Sequence, residues 1–236
     1  MASFQMAITH GAEMVELDVR LTRDGVPVVI HDYSLGRTTS GRGLVGLSTW
    51  KKLQTLDAGA WFDGRFRGER LLELGDCLQT VTPRLPVNVE LKCFFGRPDR
   101  LVRACAEAIR ASHCQRRVLV TSFNHRAVEL FHQQMPEVAL GRLFHPLLNG
   151  RPRPRDFDWL QQGERWENEL AWTGRALVVD LSLADRKLTE QVHQRGGAVL
   201  VYTVNEEKDM RRLIECEVDG LITNFPARYA SLLTRL

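Results

Sequence analysis

The chain predicts an α/β fold, a TIM (β/α)8 barrel with a small insertion after a β-hairpin. Three observations predict it. The strand segments from Val87 onward are continuous apolar runs, VNVEL, RVLVTSF, VALGRLF, ALVVDLS and AVLVYTV, the pattern of parallel strands covered by helices on a face. Each is followed by a segment of helical period, which makes repeated βα units. Polar residues stand at the C-terminal ends of many different strands: Glu16 and Asp18, Glu90 and Lys92, Ser122 and Asn124, Asp180, Thr203 and Asn205, Asn224. A barrel brings those ends to one mouth. The competing doubly wound sheet would show a glycine-rich phosphate turn after its first strand, and neither GxGxxG nor GxxxxGK[ST] occurs.

The elements follow in order. Residues 2–10 read as a helix with Phe4, Ala7 and Ile8 on one face and Gly11 as its stop. VELDVRLT alternates, Asp24-Gly25 supplies a turn, and VPVVIHD returns, which predicts an antiparallel hairpin with His31 roughly opposite Asp18. Residues 33–75 have no clear period and read as an insertion of loops, with Ser48 capping a short helix in TWKKLQTL. Strand and helix pairs then occupy 87–92 and 99–112, 117–123 and 125–134, 138–144 and about 156–170, 176–182 and 185–195, 198–204 and 206–216, and 219–224 with a last helix after Pro226. The segment RPRPR at 151–155 reads as an exposed loop. All 236 residues form a single domain in this reading.

Composition narrows the class. Apolar residues make up 44% and charged residues 26%, values of an ordinary globular chain rather than a disordered or fibrous one. The net charge of +3 is too small to argue for a nucleic-acid partner. Five cysteines with no CxxC pair argue against a disulfide framework or thiolate zinc site and point to a reducing, cytoplasmic compartment. No run is long and apolar enough for stable membrane insertion, and no signal peptide is visible.

Glu16 and Asp18 are two apart on a strand and so face the same side. Glu90 and Lys92 repeat that spacing. Read alone, the first pair is also compatible with a solvated strand edge, and Lys92 with a structural partner that neutralises Glu90. Taken together, three carboxylates from two strands make an all-oxygen site suited to Mg²⁺ or Ca²⁺. His31 beside Asp32 offers a general acid or base. The other six histidines read as surface residues.

The run VELDVRLTRDGVPVVIHD, followed by LGRTTSGRG, VELK, VYTVN and DGLITNFP, resembles the glycerophosphodiester phosphodiesterase family over essentially the whole chain, with DAGAWF closest to its bacterial cytosolic type. The resemblance implies a TIM barrel with an insertion after the hairpin of the second strand. It implies metal-dependent hydrolysis of a glycerophosphodiester to sn-glycerol 3-phosphate and an alcohol, in glycerophospholipid metabolism. By position it assigns Glu16, Asp18 and Glu90 to the divalent metal, His31 to catalysis, Lys92 to the phosphate and Tyr202 to the glycerol end of the substrate. Asn224 stands where Asp is common in the family and receives no role.

Members of that family open with a strand ending His-Arg-Gly and a loop carrying Pro-Glu-Asn-Thr. Neither motif occurs here. The resemblance therefore predicts a chain without the first barrel strand and one of two catalytic histidines, with unpaired strand edges, low stability and a large loss of rate. Two other readings stand beside the enzyme. One is a non-catalytic remnant that binds metal or glycerophosphodiesters. The other is a related barrel phosphodiesterase of phospholipase type, which would release a cyclic phosphate.

Overall fold

The structure, a computed structural model, describes residues 1–93, 98–161 and 174–235. Helix α1 (Ala2–Thr9) precedes strand β1 (Val15–Leu21), which turns back into β2 (Pro27–Val29). The hairpin pairs Val19 with Val29 and Leu21 with Pro27. Its turn holds Gly25 at φ +89°, a backbone conformation that favours glycine, and Thr22 Oγ1 accepts the Val26 N–H at 2.9 Å. The insertion then carries the one-turn helix α2 (Trp50–Leu53) and closes on β3 (Leu72–Glu73), which adds a third antiparallel strand beside β2. Helix α3 (Leu74–Val81) follows, a segment to which the sequence pattern assigned nothing.

From there the units are regular: β4 (Val87–Leu91), α4 (Asp99–Ala111), β5 (Val118–Ser122), α5 (His125–Gln134), β6 (Ala139–Phe144), α6 (Pro154–Gln161), β7 (Arg175–Asp180), α7 (Arg186–His193), β8 (Ala198–Tyr202), α8 (Glu207–Glu215), β9 (Gly220–Leu221) and α9 (Pro226–Leu233). The part of the 156–170 helix beyond Gln161 lies outside the described residues. Strands β1, β4, β5, β6, β7, β8 and β9 pair in that order, all parallel. This is the stave order of a TIM-type barrel. Among the described residues β1 and β9 are not paired with each other, so a seam runs between them.

The alternation of each strand decides what points where. Val87, Val89 and Leu91, or Leu177 and Val179, face outward into the main core beneath the helices. Leu119, Ala139, Leu143, Ala176, Val178, Ala198 and Leu200 face inward and pack together as the barrel interior. That interior is tight: a Cβ on Gly141 would come within 2.8 Å of the Thr121 side chain and 3.0 Å of that of Val178. A smaller third core of Val28, Ile30, Leu35, Val45, Leu53 and Leu71 holds the insertion to the hairpin. Helix α2 starts differently from the expectation. The side chain of Ser48 turns inward to the Leu44 carbonyl, and the free Trp50 N–H is capped instead by Asp24 across the hairpin turn, at 3.0 Å.

Candidate active site

Inward-facing residues of β1 and β4 build one wall of the mouth. Asp18 and Glu90 are direct neighbours in the β1–β4 register, and Glu16 faces the same way one step below. One carboxylate oxygen from each of the three lies within 4.8 Å of the others. Lys92 Nζ sits 3.0 Å from Asp18 Oδ1 and 2.7 Å from Glu90 Oε1.

One ammonium does not balance three carboxylates. Glu16 has no hydrogen bond or ion pair among the described residues. Burial first, then the charges of Asp18 and Glu90, push its pKa well above the usual carboxylate range. Burial likewise raises Glu90, against the opposing pull of Lys92. For Lys92 burial works against the charge, but Glu90 and Asp18 outweigh it and hold the ammonium protonated. Glu90 Oε1, close as it is to Nζ, is buried with no well-directed hydrogen bond. Such a cluster is costly in a protein interior unless a cation joins it. An all-oxygen donor set of this kind fits a hard divalent metal.

His31 stands at the rim beside this wall, 62% of its side chain exposed. The hairpin register places Ile30 opposite Asp18, with the Ile30 N–H donating to the Asp18 carbonyl at 2.9 Å. His31 is thus one residue beyond the expected position. Its Nδ1 lies 2.8 Å from Asp32 Oδ1. Arg37 grips the same carboxylate, with Nη2 at 2.8 Å from Oδ1 and Nε on Oδ2, and this contact holds the Asp32 pKa far below the usual range. An ionised Asp32 keeps the proton of His31 on Nδ1 and leaves Nε2 as the reactive nitrogen. A cleft of about 370 Å³ opens here, lined by Arg20, His31, Asp32, Tyr33, Ser34 and Lys92.

Arg20 is the member that the sequence reading missed. It continues the inward set of β1 after Glu16 and Asp18, and that spacing was the available signal. Its Nε donates to the His31 carbonyl at 2.8 Å, Nη1 reaches the Lys92 carbonyl at 3.5 Å, and its guanidinium stacks 3.6 Å from the Tyr33 ring centroid. It therefore ties the backbone of His31 to that of Lys92.

Tyr202 comes from the opposite wall. Its hydroxyl donates to the Phe144 carbonyl at 2.7 Å and its ring meets Phe123 edge-on at 5.9 Å. Burial raises its pKa, with Asp180 and Glu90 adding to the effect. The histidines read as surface residues divide. His125 is half-buried at the start of α5, its Nε2 3.0 Å from the Leu143 carbonyl. His193 Nε2 contacts Asp219 at 2.9 Å. His145 leaves the end of β6 on the inner side of the mouth, beside Asp180.

No helix among the described residues is long and apolar enough to cross a membrane. Among known proteins, a glycerophosphodiester phosphodiesterase of Caldanaerobacter subterraneus subsp. tengcongensis is 30% identical over 239 residues, covering 99% of this chain and 91% of that protein. One from Bacillus altitudinis is 31% identical over 230 residues, covering 97% and 89%. The solved structure of an Oleispira antarctica phosphodiesterase in complex with the product sn-glycerol-3-phosphate superposes with a TM-score of 0.84 at 27% identity, covering 99% of this chain and 90% of that one. Residues 1–228 match the glycerophosphoryl diester phosphodiesterase family, and with the barrel and its acidic wall in place the chain belongs to that family.

Proposed function

We propose that this chain, working as one domain with 33–75 as an insertion, hydrolyses glycerophosphodiesters to sn-glycerol 3-phosphate and an alcohol. The observation that carries the reading is the surplus of carboxylate, half-buried on β1 and buried on β4. Glu16, Asp18 and Glu90 would hold a divalent cation, Mg²⁺ or Ca²⁺, which would neutralise the phosphate and polarise its oxygens. Lys92 supplies a fixed positive charge beside them for the charge that grows on the phosphoryl oxygens. His31, oriented through Nδ1 by Asp32 and Arg37, handles a proton at Nε2. Water adds to phosphorus, the bond to the alcohol oxygen breaks, and the proton lost by water balances the one gained by the departing alkoxide. Tyr202 lines the glycerol end. The names of the relatives and the product held by the Oleispira antarctica protein support this assignment. A cytoplasmic location agrees with its five unpaired thiols.

A second reading, binding without turnover, is favoured by one observation: among the described residues the cleft beside the carboxylates contains a single histidine. The test is product analysis on a glycerophosphodiester with Mg²⁺, Ca²⁺ or a chelator. Metal-dependent release of sn-glycerol 3-phosphate supports the hydrolase. Metal-dependent binding with no product supports the binder, and a cyclic phosphate product would move the chain to the phospholipase-type relatives.

A further inference from the structure

The wall opposite the carboxylates carries, beside Tyr202, two polar groups that the reaction above does not use. Leu143, Val178 and Leu200 form an inward-facing apolar floor. Two residues further along each strand direction, the same inner face presents His145, Asp180 and Tyr202. Phe123, which follows β5, packs on the Tyr202 ring. These four residues come from adjacent staves, so they form one continuous rim above the floor.

His145 and Asp180 are each half committed. The Leu147 N–H donates to His145 Nδ1 at 3.2 Å, which puts the ring proton on Nε2. Asp180 Oδ1 accepts from Ser182 N and Oγ at 2.9 and 2.6 Å. The atoms left over, His145 Nε2–H and Asp180 Oδ2, face each other at 3.9 Å. That is too long for a hydrogen bond and the right span for one hydroxyl to accept from the first and donate to the second. Both side chains are partly open to solvent. Beside Asp180 in the sheet register stands the Tyr202 ring, an apolar body suited to the C–H side of a small polyol.

We infer that His145 and Asp180 read a hydroxyl of the glycerol moiety, with Tyr202 packing its carbon face. They are specificity-determining residues of the site. This rests on the reading of the chain as a site for glycerophosphodiesters and adds two residues to it. The histidine and the carboxylate act as donor and acceptor to one polyol hydroxyl and take no part in proton transfer to the phosphate.

Two substitutions isolate the pair. His145→Asn keeps an acceptor near the Nδ1 position for Leu147 and removes Nε2–H. Asp180→Asn keeps an oxygen for Ser182 and turns the Oδ2 acceptor into a donor. Calorimetry measures binding of sn-glycerol 3-phosphate and of inorganic phosphate to the metal-loaded protein. Steady-state kinetics compares a glycerophosphodiester with bis(p-nitrophenyl) phosphate, which lacks a polyol. The expected result for each variant is about 10-fold weaker binding of sn-glycerol 3-phosphate with phosphate affinity within about twofold. KM for the glycerophosphodiester rises by a similar factor, with kcat and the polyol-free substrate little changed. Equal losses for both ligands, or no change for either, overturn the inference. Turnover of the glycerophosphodiester with unaltered KM in both variants sinks the inference alone. A parent protein that binds sn-glycerol 3-phosphate through this pair but hydrolyses no diester sinks the hydrolase reading alone. A parent that neither binds nor hydrolyses sinks both.

Discussion

Two clusters of charge, one on the inner face of β1 and β4 and one on the outer face of β6 and β7, are resolved in opposite ways. Inside the mouth, Asp18 and Glu90 share Lys92 while Glu16 has no ion pair among the described residues, so three carboxylates face one ammonium. Outside, beneath α5 and α6, Arg142 on β6 donates Nη1 to Asp156 at 2.9 Å and Nη2 to Glu129 at 3.3 Å. The guanidinium groups of Arg142 and Arg175 both lie over the Trp159 ring, 4.5 and 4.6 Å from its centroid. Asp156 Oδ2 also accepts from the Arg153 N–H. The outer cluster is closed at the level of charge: Arg142 meets two carboxylates, while Arg142 Nε and Arg175 Nη1, buried without a hydrogen-bond partner among the described residues, lie against the Trp159 ring instead. The inner one is left open at the charge level. A closed cluster serves the fold, whereas an open one marks where something from outside completes the structure.

Substitutions in the two clusters should therefore split stability from activity. Glu90→Gln keeps the shape of the wall and removes one metal donor. Metal-dependent hydrolysis should fall by about 10³-fold or more. In chelator the variant should melt no lower than the parent, because a buried like charge has gone, and added metal should raise its melting temperature less than it raises that of the parent. A Glu90→Gln protein with parent-like metal response would erase the contrast. Arg142→Ala is the mirror case. It leaves Asp156 buried with the Arg153 amide and with His125 Nδ1 4.0 Å from its Oδ1, and should cost about 3 kcal/mol in denaturant unfolding while the metal response of the mouth is kept. A neutral result there would mean that the outer cluster is not structural.

Within the mouth, His31→Asn should lower kcat by about 10²-fold and leave metal affinity within about twofold, separating proton transfer from metal binding. A loss of metal affinity as large as the loss of kcat would place His31 among the ligands instead. The smallest effect belongs to Asp57 in the insertion. Its carboxylate accepts the N–H groups of Ala60, Gly59 and Gly68 at 2.8, 2.9 and 2.6 Å, and those bonds lower its pKa to about 2. Because the folded value is depressed, this contribution is present above the unfolded pKa of about 3.9 and is lost as pH falls toward about 2. Asp57→Asn should therefore lower the melting temperature slightly at pH 7 and should change it less at pH 2. An equal change at both pH values would show that the charge of Asp57 is not what orders the loop.

The staves were legible because their signals are local. Helix 125–134 and the apolar runs behind β4 to β8 are read from period alone, and the shared face of Glu16 and Asp18 follows from a spacing of two. What escaped depends on partners distant in the chain. Ser48 has the composition of a cap, yet Asp24, 26 positions from Trp50, does the capping. Strand β3 is two residues long and exists only because β2 offers it an edge. His145 follows an apolar run, as strand-end residues of the mouth do, but a lone histidine carries no mark of the Asp180 that faces it. Arg20 looks like the polar half of an alternating strand until Tyr33 and the two carbonyls it binds are in place.

The seam between β1 and β9 gives the acidic wall a mechanical meaning. Two of its three carboxylates ride on β1, the last stave on that side of the ring, and the third rides on β4, to which β1 is laddered. A cation gripped across that joint would act as a rivet at the rim of a split cylinder, where a plain ring would carry the load around its circumference. Metal affinity and the firmness of the first stave then become one quantity, read by amide exchange of Val15–Val19 with and without the ion.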